Sequence, residues 1–514
     1  MIISKKSRYA LAFQRILVSL FSLMLSHCFA QNKKIKVLIN TSQSYQKMDH
    51  FGASDAWACQ FVGKWKHETK NRIADLLFSR DTLKNGQPKG IGLSLWRFNI
   101  GAGSAEQKDA SGIGEQWRRA ECFLDSSGNY DWNRQSGQMW FLEAAKQRNV
   151  PFYLGFTNSP PVFFTKNNKA FAYNGIPNLD ESKNNKFTDF LIKVIFGIKQ
   201  KTGIEFDYIS PVNEPQWKWS EGGQEGSPFN NQDIYRITQN LSEVLMKSNL
   251  RTKICVPEAG QIDYLYKNLN QSECGNQIED FFNNSSPHFL GNMSNVLPVI
   301  CGHSYFTTSP LDTIVLKRKA LTSKIKAFPT LKYWMSEYCI LGDNQGEIEG
   351  KKRDLGIKAA LYLAKVIHHD LTVANATSWS WWTALSKYDY KDGLIYVGDS
   401  VRTERFYASK MLWALGNYSR FIRPEAVRIK ADFTAKNEED CLVSGYKDSY
   451  TNKTTLVIIN SEKKVLTLIL KMINEKIIHT KTYITSENKE LNVMQNKGRK
   501  LQIPPMSICT VLIN

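Results

Sequence analysis

The feature that most restricts this chain is a repeated alternation. Short apolar runs of strand length are each followed by a stretch of helical periodicity, and nearly every run ends in polar residues. His50-Phe51-Gly52-Ala53-Ser54-Asp55-Ala56-Trp57 is followed by a helical segment over His67–Leu83. Ile91–Phe98 leads into Asn99, and the helix Gln138–Arg148 leads to the strand Phe152–Phe156 and Asn158. The pattern continues through Tyr208–Glu214, Lys253–Glu258, Pro298–Tyr305, Lys332–Tyr338 and Ala376–Trp382, with helices between them and a last one over Glu404–Leu415. About eight such units, with strands apolar on both faces, predict an α/β fold of the (β/α)8 TIM-barrel type. An open doubly wound sheet is disfavoured, because no glycine-rich phosphate turn follows the first strand.

From about Pro424 the pattern changes. Asp440–Tyr446, Thr454–Asn460, Leu466–Leu470, Ile477–Thr485 and Cys509–Ile513 are β-rich with polar turns and no helical period. They predict an appended antiparallel β-sandwich. Ile35, Val37 and Ile39 share one face of an early strand with no obvious place in a barrel. The expected division is therefore a signal peptide at 1–30, a strand at 31–49 joining the sandwich, the barrel at 50–423 and the sandwich at 424–514.

The signal peptide is read from Lys5, Lys6, Arg8 and Arg15 ahead of the apolar run Ile16–Leu25, with a cut after Ala30. The run is short for a membrane span, and no later stretch is long enough to be one. The chain is thus expected to be secreted or periplasmic. A lipid anchor on Cys28 is the minor alternative, because His27 spoils the lipobox. The net charge is +19, but the lysines are scattered without a zinc-finger, RNA-binding or basic-helix pattern, so no nucleic-acid partner is expected. Cys255, Cys301 and Cys339 lie inside apolar runs and read as buried thiols. No clustered Cys/His spacing suggests a metal, and no cofactor is expected. The chain is expected to act as a monomer.

The chemistry rests on two strand ends. Glu214 closes Tyr208–Glu214, and Glu337 closes Trp334-Met335-Ser336-Glu337 three units further round. Strand ends at one rim of a barrel converge on one cleft, so the two carboxylates can face each other across a substrate. Glycoside hydrolysis needs that pair, one to protonate the leaving oxygen and one to attack or to activate water. Other strand ends add groups. Asn213 can reach a sugar hydroxyl, Arg97 and Asn99 share a strand face, and Arg97 could hold Glu337 ionised. His303 and Tyr305 form a second i, i+2 pair able to reach Glu337 or substrate. Trp379, Trp381 and Trp382 lie on the last strand, where at least one ring is expected to floor the cleft. Trp57, Trp117, Trp217 and Trp219 fall in loops, where large aromatics are harder to explain as core.

At this point the chain resembles glycoside hydrolase family 30, and is most similar to its endo-β-1,6-galactanase branch. The resemblance is carried by His50–Asp55, Leu95–Gly103, Asn158-Ser159-Pro160-Pro161, Pro211-Val212-Asn213-Glu214-Pro215, His303-Ser304-Tyr305, Trp334–Tyr338 and Trp379–Trp382, in that order. It implies a (β/α)8 barrel with a side β-sandwich and a retaining mechanism. Glu214 would be the acid/base and Glu337 the nucleophile, at the separation of about 5–5.5 Å of retaining pairs. The expected substrate-binding set is Asp55, Trp57, Arg97, Asn99, Asn158, Asn213, Trp217, His303, Tyr305, Trp379 and Trp381. The expected partner is a polysaccharide or oligosaccharide, namely β-1,6-linked galactan side chains of arabinogalactan. A β-1,6-glucanase or exo-acting β-glycosidase of the same family is the alternative within enzymes. A carbohydrate-binding protein on an inactive barrel is the alternative outside them.

Overall fold

The computed structural model describes residues 34–270, 272–398, 404–434, 441–496 and 498–513. The expected signal peptide and Cys28 lie outside these residues. Parallel strands β2 (His50–Ser54), β3 (Leu95–Asn99), β4 (Phe152–Phe156), β5 (Tyr208–Ser210), β6 (Lys253–Ala259), β7 (Val296–His303), β8 (Lys332–Tyr338) and β9 (Ser378–Ser386) pair in sequence order, following β1 (Lys34–Lys47) in the chain. β9 pairs with both β8 and β2, which closes the sheet into a barrel. Helices Asn184–Thr202, Asn231–Lys247, Leu311–Ile325 and Ile357–Thr372 are among the connections. Asn230 and Asp233 form a reciprocal capping box that starts the second of these. Gly203, at φ 67°, ends the first in the left-handed conformation that glycine adopts without strain. The fold class expected from the alternation is the one observed.

Two boundaries differ from the sequence reading in ways that matter. β5 ends at Ser210, and Glu214 has φ 45°, so Asn213 and Glu214 sit in a loop past the ladder. Pro211 contributes no N–H to extend the strand. The expected helix Glu404–Leu415 is instead a strand, β11 (Phe406–Ala408), and a helix over Lys410–Ser419. Ser409 caps that helix by accepting from the Leu412 N–H. β11 pairs with β10 (Gly393–Val397), which extends the barrel sheet beyond β9.

The second sheet contains β1, β12 (Val427–Phe433), β13 (Cys441–Lys447), β14 (Thr454–Asn460), β15 (Leu466–Met472), β16 (Thr480–Ser486), β17 (Lys489–Asn496), β18 (Lys500–Ile503) and β19 (Ser507–Ile513). Its pairings are antiparallel except one: β1 runs parallel to β15 and antiparallel to β12. The first described strand of the chain is thus inserted within the C-terminal sheet. Alternation along β14 divides two cores. Leu456 and Ile458 pack inside the sheet domain, whereas Val457 and Ile459 belong to the core shared with the barrel. The wholly buried helix Lys410–Ser419 lies between the domains. Its Asn417 side chain donates to Thr485 Oγ1 at 2.7 Å and accepts from Thr510 Oγ1 at 2.9 Å. Cys255, Cys301 and Cys339 are buried free thiols. Among the described residues no helix is long and apolar enough to cross a membrane.

Candidate active site

The floor of the barrel is aromatic. The His50 ring packs 4.5 Å from Trp334, 5.6 Å from Tyr208 and 5.7 Å from Phe152, closing the end away from the carboxylates. Above it, the strand ends converge. Glu214 and Glu337 are both buried, and one oxygen of each lies within 4.8 Å of the other and of the His303 ring. His303 Nδ1 is 2.9 Å from Glu214 Oε1 and 3.6 Å from Glu337 Oε1. Arg97, on β3, donates through Nη1 to Glu337 Oε2 and through Nη2 to Asn213 Oδ1 at 3.1 Å. The Tyr305 hydroxyl donates to Glu337 Oε1 at 3.1 Å. Both oxygens of Glu337 are thereby held in place.

Behind these residues stands one that the sequence reading left without a role. Glu258 ends β6, has no exposed surface, and accepts from Ser210 Oγ at 2.6 Å and Ser336 Oγ at 2.5 Å. Its Oε2 also lies 3.2 Å from His303 Nε2 and 3.4 Å from Arg97 Nη2. Glu258 thus clamps both cations of the site. It ends an apolar run just as Glu214 and Glu337 do, so the position was visible in the sequence, but its partners were not.

The charges follow from this packing. Burial would raise the Glu258 carboxyl, but Arg97 and His303 outweigh it and hold the group down to about 2. Burial would lower His303, but the charges of Glu337, Glu214 and Glu258 lift it to about 9. The Glu214 carboxyl is raised, first by burial and then by the charge of Glu337, against the opposing pull of His303. With a proton on Glu214, the cations Arg97 and His303 balance the anions Glu258 and Glu337. Glu214, His303 and Glu337 are also close enough to offer ligands to a metal. The set does not fit one, because Arg97 bonds directly to Glu337 and a protonated His303 presents N–H rather than a lone pair.

The cleft over the pair has a volume of about 340 Å³ and is lined by Asn213, Glu214, Trp217, Trp219, Tyr305, Phe306, Glu337 and Trp382, among others. Trp217 and Trp219 come from the loop after Glu214. Trp57 and Trp117, also expected in loops, are buried; Trp57 packs edge-on against Trp382 at 5.2 Å. Of the four tryptophans expected to bind substrate only Trp217 lines the cleft; Trp57, Trp379 and Trp381 do not. Trp379 and Trp381 are fully buried in the barrel wall, donating their indole N–H groups to Asp370 Oδ2 at 2.9 Å and to the Asp392 carbonyl at 2.6 Å. Side chains alternate along β9, and Ser378 faces the axis through its 2.6 Å contact with His50. Trp379 and Trp381 lie on the opposite face, and Trp382 sits where the register of β9 against β2 shifts and lines the cleft.

Asp55, Asn99 and Asn158 form a separate buried group at the ends of β2, β3 and β4. Asp55 Oδ1 accepts from the Asn99 N–H at 2.8 Å and from Gln138 at 3.1 Å, and Asn158 Nδ2 donates to Asn99 Oδ1 at 3.2 Å. Asp55 Oδ2, Asn99 Nδ2 and Asn158 Oδ1 have no protein partner among the described residues. Burial pushes the Asp55 carboxyl up to about 7.

A barrel with two carboxylates at one rim and a side sheet has counterparts among known proteins. A crystal structure of a conserved exported protein from Bacteroides fragilis is 33% identical, with a TM-score of 0.86 over 93% of this chain and 100% of that one. The catalytic domain of a family 30 xylanase C from Talaromyces cellulolyticus (19% identical, TM-score 0.67, 93% of this chain, 100% of that) shares the fold. So does an endo-β-1,6-glucanase (14%, 0.66, 93% of this chain, 93% of that). The family model described as O-glycosyl hydrolase family 30 matches residues 34–396. The chain therefore belongs to glycoside hydrolase family 30.

Proposed function

We propose that this protein is an exported, retaining glycoside hydrolase that cleaves β-1,6-linked galactan, the side chains of arabinogalactan. The observation that carries the reading is the approach of Glu214 and Glu337 to within 4.8 Å between carboxylate oxygens. Inverting pairs stand about 6.5–9.5 Å apart to admit a water, and retaining pairs about 5–5.5 Å. Glu214, proton-bearing, gives its proton to the glycosidic oxygen. Glu337, aligned by Arg97 and Tyr305, attacks the anomeric carbon as the leaving sugar departs. Water then attacks the glycosyl–Glu337 ester and gives its proton to Glu214, which restores both groups.

Asn213, beside the pair and held by Arg97, is placed to meet the sugar 2-hydroxyl, where a hydrogen bond strengthens in the transition state. Trp217 and Trp382 offer ring faces to the sugars. The galactan assignment rests on the ordered set of motifs quoted above. Export is supported by the reading of residues 1–30 and by the exported relative from Bacteroides fragilis.

A panel of β-1,6-galactan, β-1,6-glucan and glucuronoxylan tests the substrate. Galacto-oligosaccharides are expected from the first alone, with the β-anomer formed first by NMR. Release of monosaccharide only would overturn endo action, and α-anomer first would overturn retention. Glu337→Gln and Glu214→Gln should each abolish turnover of the polysaccharide.

A further inference from the structure

We propose that Glu225, which is neither a lining residue of the cleft nor a partner of the catalytic glutamates, positions the leaving-group side of the cleft. The proposal rests on the retaining-glycosidase reading above. Glu225 lies in the loop that follows Glu214 and is completely buried. Its Oε2 accepts the Ala102 N–H at 3.0 Å, and its Oε1 accepts the Ser104 N–H at 3.2 Å and the Ser104 Oγ–H at 2.6 Å. Ser104 Oγ in turn accepts the Ala120 N–H at 3.0 Å. The one carboxylate ties the Glu214 loop to the segment that leaves β3. A buried carboxylate is costly, and the three donors from one short segment offset that cost in part: burial still raises the carboxyl to about 7, so the clamp is complete above that pH.

Both neighbours of Glu225 serve the cleft. Gln224 lines it. Gly226 is the platform under Trp219: a Cβ there would stand 2.3 Å from the indole, so only glycine admits the ring. Trp219 lines the same wall and donates its indole N–H to the Glu214 carbonyl at 3.0 Å. Backbone bonds from Ala172 N to Trp219 O at 2.9 Å and from Gly226 N to Ala170 O at 2.8 Å complete the wall. Trp219 and Gln224 belong to the loop of the acid/base. In the reading above Glu214 protonates the glycosidic oxygen, and the wall that Trp219 and Gln224 form beside it is assigned to the sugar that leaves. Freeing the Glu225 carboxylate releases the segment that fixes both.

The test compares two substrates in Glu225→Gln and Ser104→Ala at about pH 8, where Glu225 is ionised. One is a β-1,6-galacto-oligosaccharide, whose leaving group is a sugar. The other is an aryl β-galactoside, whose leaving group is not. In Glu225→Gln the new NH2 group faces an N–H donor, and in Ser104→Ala the shortest bond of the clamp is gone. We expect KM for the oligosaccharide to rise about tenfold in both variants with kcat little changed, and the aryl substrate to be cleaved as by wild type. Equal losses on both substrates, or no change on the oligosaccharide in a folded variant, overturn the proposal. If the wild type cleaves another glycan, the galactan assignment fails alone, and the comparison is made on that glycan and its aryl glycoside. A wild type without glycosidase activity overturns both.

Discussion

Glu258 makes no contact with substrate in the proposed reaction, yet its removal has a calculable consequence. In Glu258→Gln the side-chain shape survives and one negative charge is lost. His303 lies between Glu258 and Glu214, 3.2 Å from the first and 2.9 Å from the second. With the imidazole between them the two carboxylates stand about 8 Å apart, where a unit charge at an effective dielectric of about 20 is worth about 2 kcal/mol, or about 1.5 pKa units. The sign follows from the charges. Glu258 is an anion that helps the His303–Glu214 pair keep its proton, so without it the proton leaves at lower pH. The pair is coupled, and the shift belongs to both groups together. The basic limb of the kcat/KM profile on a β-1,6-linked oligosaccharide should therefore move down by about 1.5 pH units. The variant should also be less stable by about 3–5 kcal/mol, because Arg97 and His303 lose a buried counter-charge. Circular dichroism and a denaturant titration verify that the assayed protein is folded. A basic limb that stays in place, or moves up, in a folded variant would refute the charge balance assigned to the site.

Three further outcomes are expected. Trp382→Ala should raise KM for the polysaccharide and also lower stability, because the ring is buried against Trp57 and Phe156, whereas Trp381→Ala should lower stability by about 3–5 kcal/mol in a denaturant melt, as for other buried aromatics, and leave KM of the folded protein unchanged. Tyr305→Phe removes a donor to Glu337 worth about 1.5–3 kcal/mol and should lower kcat by about 10- to 150-fold in steady-state kinetics. Stability should peak in mildly acidic solution. Burial raises Asp55 and Glu225 to about 7 and Asp392 to about 6, so each favours the folded state while protonated and loses that advantage as pH rises from about 4 through those values. His303, raised to about 9, acts in the same sense between about 6.5 and 9, while Glu258, held at about 2, withdraws stability only as pH falls below about 4.5. A Tm that rises steadily from pH 5 to pH 9 would contradict this.

The sequence by itself determined the architecture and the placing of Glu214 and Glu337 at one rim of it. The barrel was legible because each apolar run has to be covered on both faces, which only a parallel sheet wrapped in helices provides. Glu214 and Glu337 were legible because strand ends in such a barrel share one rim. Arg97 and Tyr305 were legible as neighbours of Glu337 for the same reason. What the strand pattern could not give was any contact made across the barrel. Glu258 looked like Glu214 in the sequence, but only the fold aims it at Arg97 and His303 rather than at the cleft. The choice among Trp379, Trp381 and Trp382 needed the phase of β9, which the 2.6 Å contact between Ser378 and His50 sets from the far end of the chain. The placement of β1 beside β15, and of Glu225 against Ser104, likewise depends on segments distant in sequence. Periodicity records which face of an element is buried; it carries no record of what lies opposite, and the charge and aim of this site come from what lies opposite.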